Sequence, residues 1–236
     1  MNFYDTKFWK NYPKFDKIVG NSSMRSFADA VIYWKLFKEF NFNNVLEIGV
    51  FQGSTSALIL EANKNSIVTA IDPIDHLDLF RELYPEYKSR FYFMNCKSEE
   101  ASIASDEKFD FILVDGNHQY INVKHDATMA FKYCSTNSII AFDDYKLDGV
   151  KETLLELKLL QPDWVPFLRT EQTEFWHHKS VDRGNFLDNL LIDSLTNYIF
   201  AYNVTDENSN TILETKTLYA LSNDYNLFDQ LLKKYD

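Results

Sequence analysis

Five short apolar runs recur along residues 44–144, and a segment with helical spacing follows each of them. The runs have the length of buried strands, and the segments between them repeat apolar residues every three or four positions. Strands that alternate with helices form a parallel sheet covered on both faces. We therefore predict a Rossmann-like, doubly wound α/β fold with strands at NVLEIG (44–49), SIVTAID (66–72), RFYFMNC (90–96), FDFILVD (109–115) and SIIAFDD (138–144).

The pattern predicts six helices around these strands and a different organisation after Pro162. The helices are expected at 22–40, 54–64, 76–88 (ending near Pro85), 98–105, 121–134 and 148–160. Beyond them we predict paired strands within 164–179, a hairpin of 197–204 with 211–221, and a closing helix in NLFDQLLKKYD. This gives an N-terminal extension (1–21), a core (22–179) and a C-terminal appendage packed on that core (180–236).

Composition excludes several classes of function. Hydrophobic residues make up 45% of the 236, enough for a large core, and the net charge is −11. Such an acidic chain repels phosphate backbones, so we expect no nucleic-acid partner. No segment reaches the roughly 20 apolar residues of a membrane span, and the N-terminus lacks a signal pattern. Cys96 and Cys134 form no CxxC pair and are interpreted as reduced thiols, so we expect a cytoplasmic protein without a membrane partner.

The turn LEIGVFQGST (46–55) joins the first strand to a helix and predicts a cofactor site. Gly49 and Gly53 let a ligand approach the backbone, and the helix N-terminus offers free N–H groups. Asp72 ends the second strand, 23 residues after Gly49, where an acid can accept hydrogen bonds from ribose hydroxyls. Because position 51 is Phe, the turn departs from GxGxxG, which weakens a dinucleotide interpretation.

Carboxylates follow two of the predicted strands directly. Asp115 ends the fourth strand, and Asp143 and Asp144 end the fifth. The carboxyl ends of parallel strands share one edge, so three like charges would meet in one crevice. Protonation, pairing with Lys or Arg, or a bound cation would each stabilise them. The adjoining loops supply only Lys146, and an all-oxygen set favours Mg²⁺.

The spacing of Glu47, Gly49 and Gly53 (E-x-G-x-x-x-G) resembles the first motif of class I S-adenosylmethionine-dependent methyltransferases. The resemblance implies that these three residues shape the pocket for the methionine part of the cofactor. It further implies that Ser54 meets the cofactor carboxylate and that Asp72 holds the ribose. In the family the adenine is contacted after the third strand, here at Asn95 and Ser98, and Asp115 also borders the cofactor.

A second resemblance concerns VDGNHQYINVKHD, SIIAFDDY and DGV (148–150), and the matching stretch runs from about residue 22 to 160. These motifs are similar to the metal-dependent sugar O-methyltransferases of macrolide and aminocoumarin biosynthesis. That branch implies Mg²⁺ held at Asp115, Asp143 and Asp144. Some members use a His at the position of His118 as general base, and others an Asp where this chain has Asn117. Because an amide is no useful base, His118 is the expected one.

The predicted function is therefore Mg²⁺-assisted O-methylation of a small-molecule hydroxyl, with a sugar or glycosylated metabolite favoured by resemblance alone. Two alternatives stay open: a metal-independent small-molecule methyltransferase, and a non-catalytic module that binds S-adenosylmethionine. A homo-oligomeric state is left open. Asp126 and Asp148 are interpreted as surface acids outside the site.

Overall fold

The computed structural model describes residues 27–183, 186, 199–205 and 211–217. The predicted extension (1–21), the start of the first helix, the end of the predicted hairpin and the closing helix lie outside the described residues. Five helices and five strands come first: α1 (Phe27–Glu39), β1 (Asn44–Ile48), α2 (Ser54–Ala62), β2 (Ile67–Ile71), α3 (Asp78–Leu83), β3 (Phe91–Met94), β4 (Phe109–Val114), α4 (Tyr120–Tyr133), β5 (Cys134–Phe142) and α5 (Asp148–Leu160). Four further strands follow: β6 (Trp164–Arg169), β7 (Glu174–His178), β8 (Ile199–Thr205) and β9 (Thr211–Thr217).

These strands form one sheet in the order β3-β2-β1-β4-β5-β7-β6-β9-β8. The first five are parallel, β7 runs antiparallel to β5, and β6 antiparallel to β7. The predicted doubly wound, mostly parallel α/β fold is thus confirmed. The paired strands within 164–179 and the hairpin over 199–205 and 211–217 are also present, and β9 extends the same sheet by pairing with β6.

Each face of the sheet carries its own apolar core. One core packs α1, α2 and α3 against residues such as Val45 and Phe111, and the other packs α4 and α5 against their strand neighbours Leu46 and Ile112. Neighbouring strand residues point to opposite faces, so a strand covered on both sides is apolar throughout. This explains why the strands appear in the sequence as continuous apolar runs.

Two predicted elements differ from the structure. The expected helix 98–105 is only a short 3-10 turn, Ser98–Glu100, because the chain then becomes extended. Strand β5 begins at Cys134, four residues before the predicted start, and its register shifts against β4 between Phe109 and Phe111. Both cysteines are free and half-buried. None of the helices in the described part combines the length and apolar character needed to cross a bilayer.

The strand order reverses at β1, because β2 and β3 lie on one side of it and β4 and β5 on the other. Ligands of such sheets bind beyond the carboxyl ends of the strands at this switch point. The crevice between the ends of β1 and β4 is therefore where the fold offers a site.

Replacement of Phe111 tests how much the apolar core contributes to the free energy of unfolding. Its ring is fully buried and makes edge or tilted contacts with Tyr33, Phe37 and Phe42. Phe111→Ala removes these contacts and leaves a cavity, so we expect a loss of about 4 kcal/mol in the free energy of unfolding, measured by urea denaturation. Tyr92→Ala, at a strand residue that is 54% exposed, should cost less than about 1 kcal/mol. Equal losses would contradict this description of the core.

Candidate active site

The register of three strands brings the predicted acids together. Ile48 is level with Val114, which is level with Phe142. The next residues continue the ladder, since the Asp115 N–H donates to the Ile48 carbonyl (2.8 Å) and the Asp143 N–H to the Val114 carbonyl (3.0 Å). Asp115 and Asp143 therefore stand side by side at the rim of the sheet.

Gly49 lets the chain turn tightly beside Asp115. It has a φ of 86°, and a Cβ there would lie 1.9 Å from the Asp115 carbonyl oxygen. Only glycine fits both the conformation and the space. Gly53 also has a positive φ, but a Cβ there would meet the side chains of Phe80 and Leu77 (2.8 and 2.9 Å). Gly53 thus serves packing against α3.

A cleft of about 520 Å³ opens at the switch point. This volume is ordinary for a small-molecule or cofactor site. Five of the predicted site residues line it: Gly49, Asp72, Ser98, Asp115 and His118. The other predicted cofactor residues stand behind this wall or at its edge: Glu47 and Ser54 are buried, Gly53 packs on α3, and the exposed Asn95 donates to the Asp72 carbonyl oxygen (3.1 Å).

Asp72 orders the glycine turn. One of its carboxylate oxygens accepts the backbone N–H groups of Val50 and Phe51 (2.9 and 3.0 Å), and the other accepts that of Ile74 (2.9 Å). Phe51 has a φ of 47°, an uncommon conformation for a bulky residue that these bonds help to hold. The oxygen that accepts from Ile74 alone keeps accepting capacity, so the predicted bond to a ribose stays compatible with this arrangement.

Asp126 belongs to the cleft, and its interpretation as a surface acid is wrong. It is buried on α4, lines the cleft and accepts a hydrogen bond from the Ser98 hydroxyl (2.5 Å). Burial is the main cause that raises its pKa to about 6. Its position three residues after the buried Val123 places it on the inner face of the helix, a signal that was present in the sequence. Asp148 is exposed, as expected.

His118 points its ring into the acidic cluster. Its Nε2 lies 3.8 Å from an oxygen of Asp115 and 3.5 Å from an oxygen of Asp144, and this buried nitrogen has no hydrogen-bond partner among the described residues. Gly149 permits this placement, because a Cβ there would lie 2.3 Å from the His118 carbonyl oxygen. The first turn of α5 therefore packs directly against the loop that carries His118.

Loss of hydration and mutual repulsion determine the direction of the pKa shifts of Asp115 and Asp143. Burial raises the pKa of the Asp115 carboxyl well above its usual range, and the charges of Asp143, Glu47 and Asp144 raise it further. Burial also raises the pKa of Asp143, although a hydrogen bond from Thr173 opposes the shift. Protons, His118 or a cation must offset this accumulation of negative charge.

The turn between β6 and β7 contacts Asp143 and Asp144. The sequence analysis did not predict this role of the turn. Thr173 donates to Asp143 (2.6 Å), and the Gln172 amide lies 3.4 Å from an oxygen of Asp144. Behind them, Thr170 donates to the buried Asp29 of α1. Tyr33 of α1 is also buried here, and burial followed by the charge of Asp143 raises its pKa, so the phenol stays protonated.

The donor chemistry of this cluster suits a hard cation, because all three acids offer carboxylate oxygens. Within the part of the chain that the structure describes, however, no three His, Cys, Asp or Glu side chains form a ready-made metal site. Asp115 and Asp143 are neighbours at this rim, and the charge of Asp143 is one of the causes that raise the pKa of Asp115. A proton on one of the two carboxyls would reduce their repulsion, and a bound cation would do the same without that proton.

Residues 46–145 match the family model described as a methyltransferase domain. Among curated proteins the chain resembles the uncharacterized protein R132 of Acanthamoeba polyphaga mimivirus, with 26% identity over 112 residues. That match covers 43% of this chain and 51% of the relative, so the chain spans about half the length of the curated relative it matches.

Solved structures share the fold at low identity. A putative caffeoyl-CoA O-methyltransferase from Staphylococcus aureus aligns with a TM-score of 0.58 at 13% identity, over 72% of this chain and 91% of that one. The O-methyltransferase from Bacillus cereus in complex with SAH aligns at 0.55 and 13%, over 85% and 88%. A putative O-methyltransferase from Klebsiella pneumoniae aligns at 0.57 and 14%, over 70% and 87%. The class I methyltransferase fold is thereby confirmed, and the family match supports the prediction of an S-adenosylmethionine-dependent methyltransferase.

Glu47 makes stability depend on pH. It is buried beside the glycine turn, accepts a hydrogen bond from Ser56, and burial raises its pKa from 4.5 to about 8. The folded state therefore favours the protonated form, and the stability it contributes is lost as pH rises from about 4.5 through about 8. Glu47→Gln keeps a neutral side chain at every pH. Between pH 5 and pH 8 we expect the free energy of unfolding of this variant to rise by about 3 kcal/mol relative to that of the wild type. Urea denaturation without cofactor measures both values.

Asp115 and Asp143 titrate in both proteins, so the comparison removes their contribution except for the part of the Asp115 shift that the Glu47 charge causes. A stability difference between the two proteins that stays constant from pH 5 to pH 8 would contradict the buried, proton-binding state of Glu47.

Proposed function

We propose that this chain is an S-adenosylmethionine-dependent O-methyltransferase that acts on a hydroxyl of a small molecule, assisted by a divalent cation such as Mg²⁺. The observation that carries the proposal is the convergence of Asp115, Asp144 and His118 at the rim of the cleft. Carboxylates supply the oxygen ligands that Mg²⁺ prefers, and the imidazole supplies a base beside them. The cofactor would occupy the cleft between the glycine turn and Ser98.

The fold provides several parts of a cofactor site. Gly49 keeps side-chain atoms away from the turn, and the first N–H groups of α2 would be available to the anionic end of the cofactor. Ser98, Asp126 and Asp72 add polar groups to the lining of the same cleft. When bound, S-adenosylmethionine supplies an electrophilic methyl group on its sulfonium.

Asp115, Asp143 and Asp144 would hold the cation. When bound, Mg²⁺ lowers the pKa of a coordinated hydroxyl and orients that hydroxyl. The protein's own contribution is to keep the acids in place: Thr173 fixes Asp143, and Gln172 lies beside Asp144. Bound oxygens of the acceptor would then lie next to the cofactor cleft, which Asp115 shares.

His118 would accept the proton that the acceptor hydroxyl loses. Its Nε2 has no hydrogen-bond partner among the described residues, so it can bind that proton. Asp115 and Asp144, 3.8 and 3.5 Å away, would stabilise the imidazolium that forms. The acceptor is a small-molecule hydroxyl, and a sugar or glycosylated metabolite rests on the sequence resemblance alone.

Replacement of one acid separates the metal-assisted reaction from the alternatives. Asp143→Asn keeps the shape but weakens cation binding, so we expect methyl transfer to a panel of sugars and phenols to fall at least about 100-fold. S-adenosylmethionine binding, measured by isothermal titration calorimetry, should change less than about twofold. Asp106→Asn, at an exposed turn, is the matched control.

Chelation followed by Mg²⁺ addition completes this test. Full activity after exhaustive chelation would favour the metal-independent methyltransferase. Cofactor binding without turnover of any acceptor would favour the non-catalytic module.

His118→Gln tests the proposed base. The amide cannot accept the hydroxyl proton, so kcat should fall about 100- to 1,000-fold with Mg²⁺ and cofactor saturating. His125→Gln, at an exposed histidine of α4, should leave kcat unchanged. Equal kcat values for the two variants would overturn the role of His118.

A further inference from the structure

A second cleft, of about 360 Å³, opens on the α5 side of the sheet beside the loop that joins β5 to α5. Four cationic side chains line it: Lys146, Lys151, Lys158 and Arg169. Its single lining carboxylate belongs to Glu174, so the formal charge of the wall is 4 − 1 = +3. In a chain of net charge −11, this is a local reversal of sign. A cleft lined by one sign of charge concentrates ions of the other sign.

Glu174 offsets one of the four positive charges, that of Arg169. It is buried, and its two oxygens are engaged by different partners, the indole N–H of Trp176 (2.7 Å) and the Nε–H of Arg169. Its bond to Arg169 also fixes the guanidinium, whose side chain is only 17% exposed. Arg169 is therefore a preorganised part of the wall.

Tyr145 and Lys146 form a second fixed part. The Tyr145 ring centre lies 5.4 Å from the Arg169 guanidinium carbon and 5.2 Å from the Lys146 ammonium. The Lys146 ammonium also donates to the Glu171 carbonyl oxygen (2.8 Å). Both cations are thus held near one aromatic ring, which reduces the conformational entropy that a bound anion would remove.

Lys151 and Lys158 form the opposite wall along α5. They are seven residues apart, which is two helical turns, so they lie on the same face about 10 Å from each other along the axis. Among the residues that the structure describes, none forms an ion pair with Lys151. Such spacing suits an extended, multiply charged anion.

We propose that this cleft binds a phosphate or diphosphate group. The bound group has one of two sources. It is either a free inorganic or metabolite phosphate, or the phosphate portion of the methyl acceptor. The second source rests on the proposed function, because Tyr145 directly follows Asp144 and places the cleft next to the proposed acceptor site. An acceptor such as a sugar nucleotide would then reach both places at once.

The test is isothermal titration calorimetry, in which inorganic pyrophosphate is titrated into the full chain in buffer without metal or cofactor. We expect saturable binding that weakens as salt is added. Lys151→Glu should weaken it at least about tenfold, since the change places a negative charge on the wall. Lys64→Glu, the same change at an exposed lysine of another loop, should alter it less than about twofold.

The proposal is overturned if no saturable binding is seen up to about 10 mM pyrophosphate, or if both variants bind alike. Because neither Mg²⁺ nor cofactor is present, failure of the proposed methyl transfer leaves this result unaffected. Uridine diphosphate glucose separates the two sources: tighter binding than pyrophosphate assigns the group to an acceptor, and equal binding assigns it to a free phosphate ligand.

Discussion

The site depends on one constraint: strands β1, β4 and β5 end at the same level of the sheet. Their register carries the ladder one residue beyond β4 and β5, so Asp115 and Asp143 emerge as neighbours. Two carboxylates that stand side by side with little access to water repel each other, and burial adds the cost of lost hydration. A sheet that keeps this arrangement needs a neutralising partner: a proton, the His118 imidazole or a cation.

The rest of the molecule supports this charged rim from two sides. The turn between β6 and β7 contacts the acid pair through Thr173 and Gln172, and α1 buries Tyr33 and Asp29 behind that turn. On the other side, Gly149 lets α5 approach the loop of His118. The antiparallel strands added to the parallel core thus position groups of the candidate site as well as enlarging the sheet.

The sequence predicted those features that depend on local pattern. Continuous apolar runs identified the strands, and their shared carboxyl edge predicted that Asp115 lies near Asp143, as the pairing of β4 with β5 shows. Thr173 and Gln172 escaped prediction because their role depends on the pairing of β5 with β7, which no local pattern encodes. Asp126 was assigned to the surface although its helical position faces inward, and Gly53, predicted from the motif as a cofactor residue, also leaves room for Phe80 and Leu77.

Anomalous diffraction from crystals soaked with Mn²⁺ and S-adenosylhomocysteine tests the central claim most directly. Mn²⁺ takes the oxygen ligands that Mg²⁺ takes, and its position can be located without ambiguity. We predict one strong peak bound by the carboxylates of Asp115, Asp143 and Asp144. Absence of a peak at these three carboxylates would contradict the metal-assisted reaction.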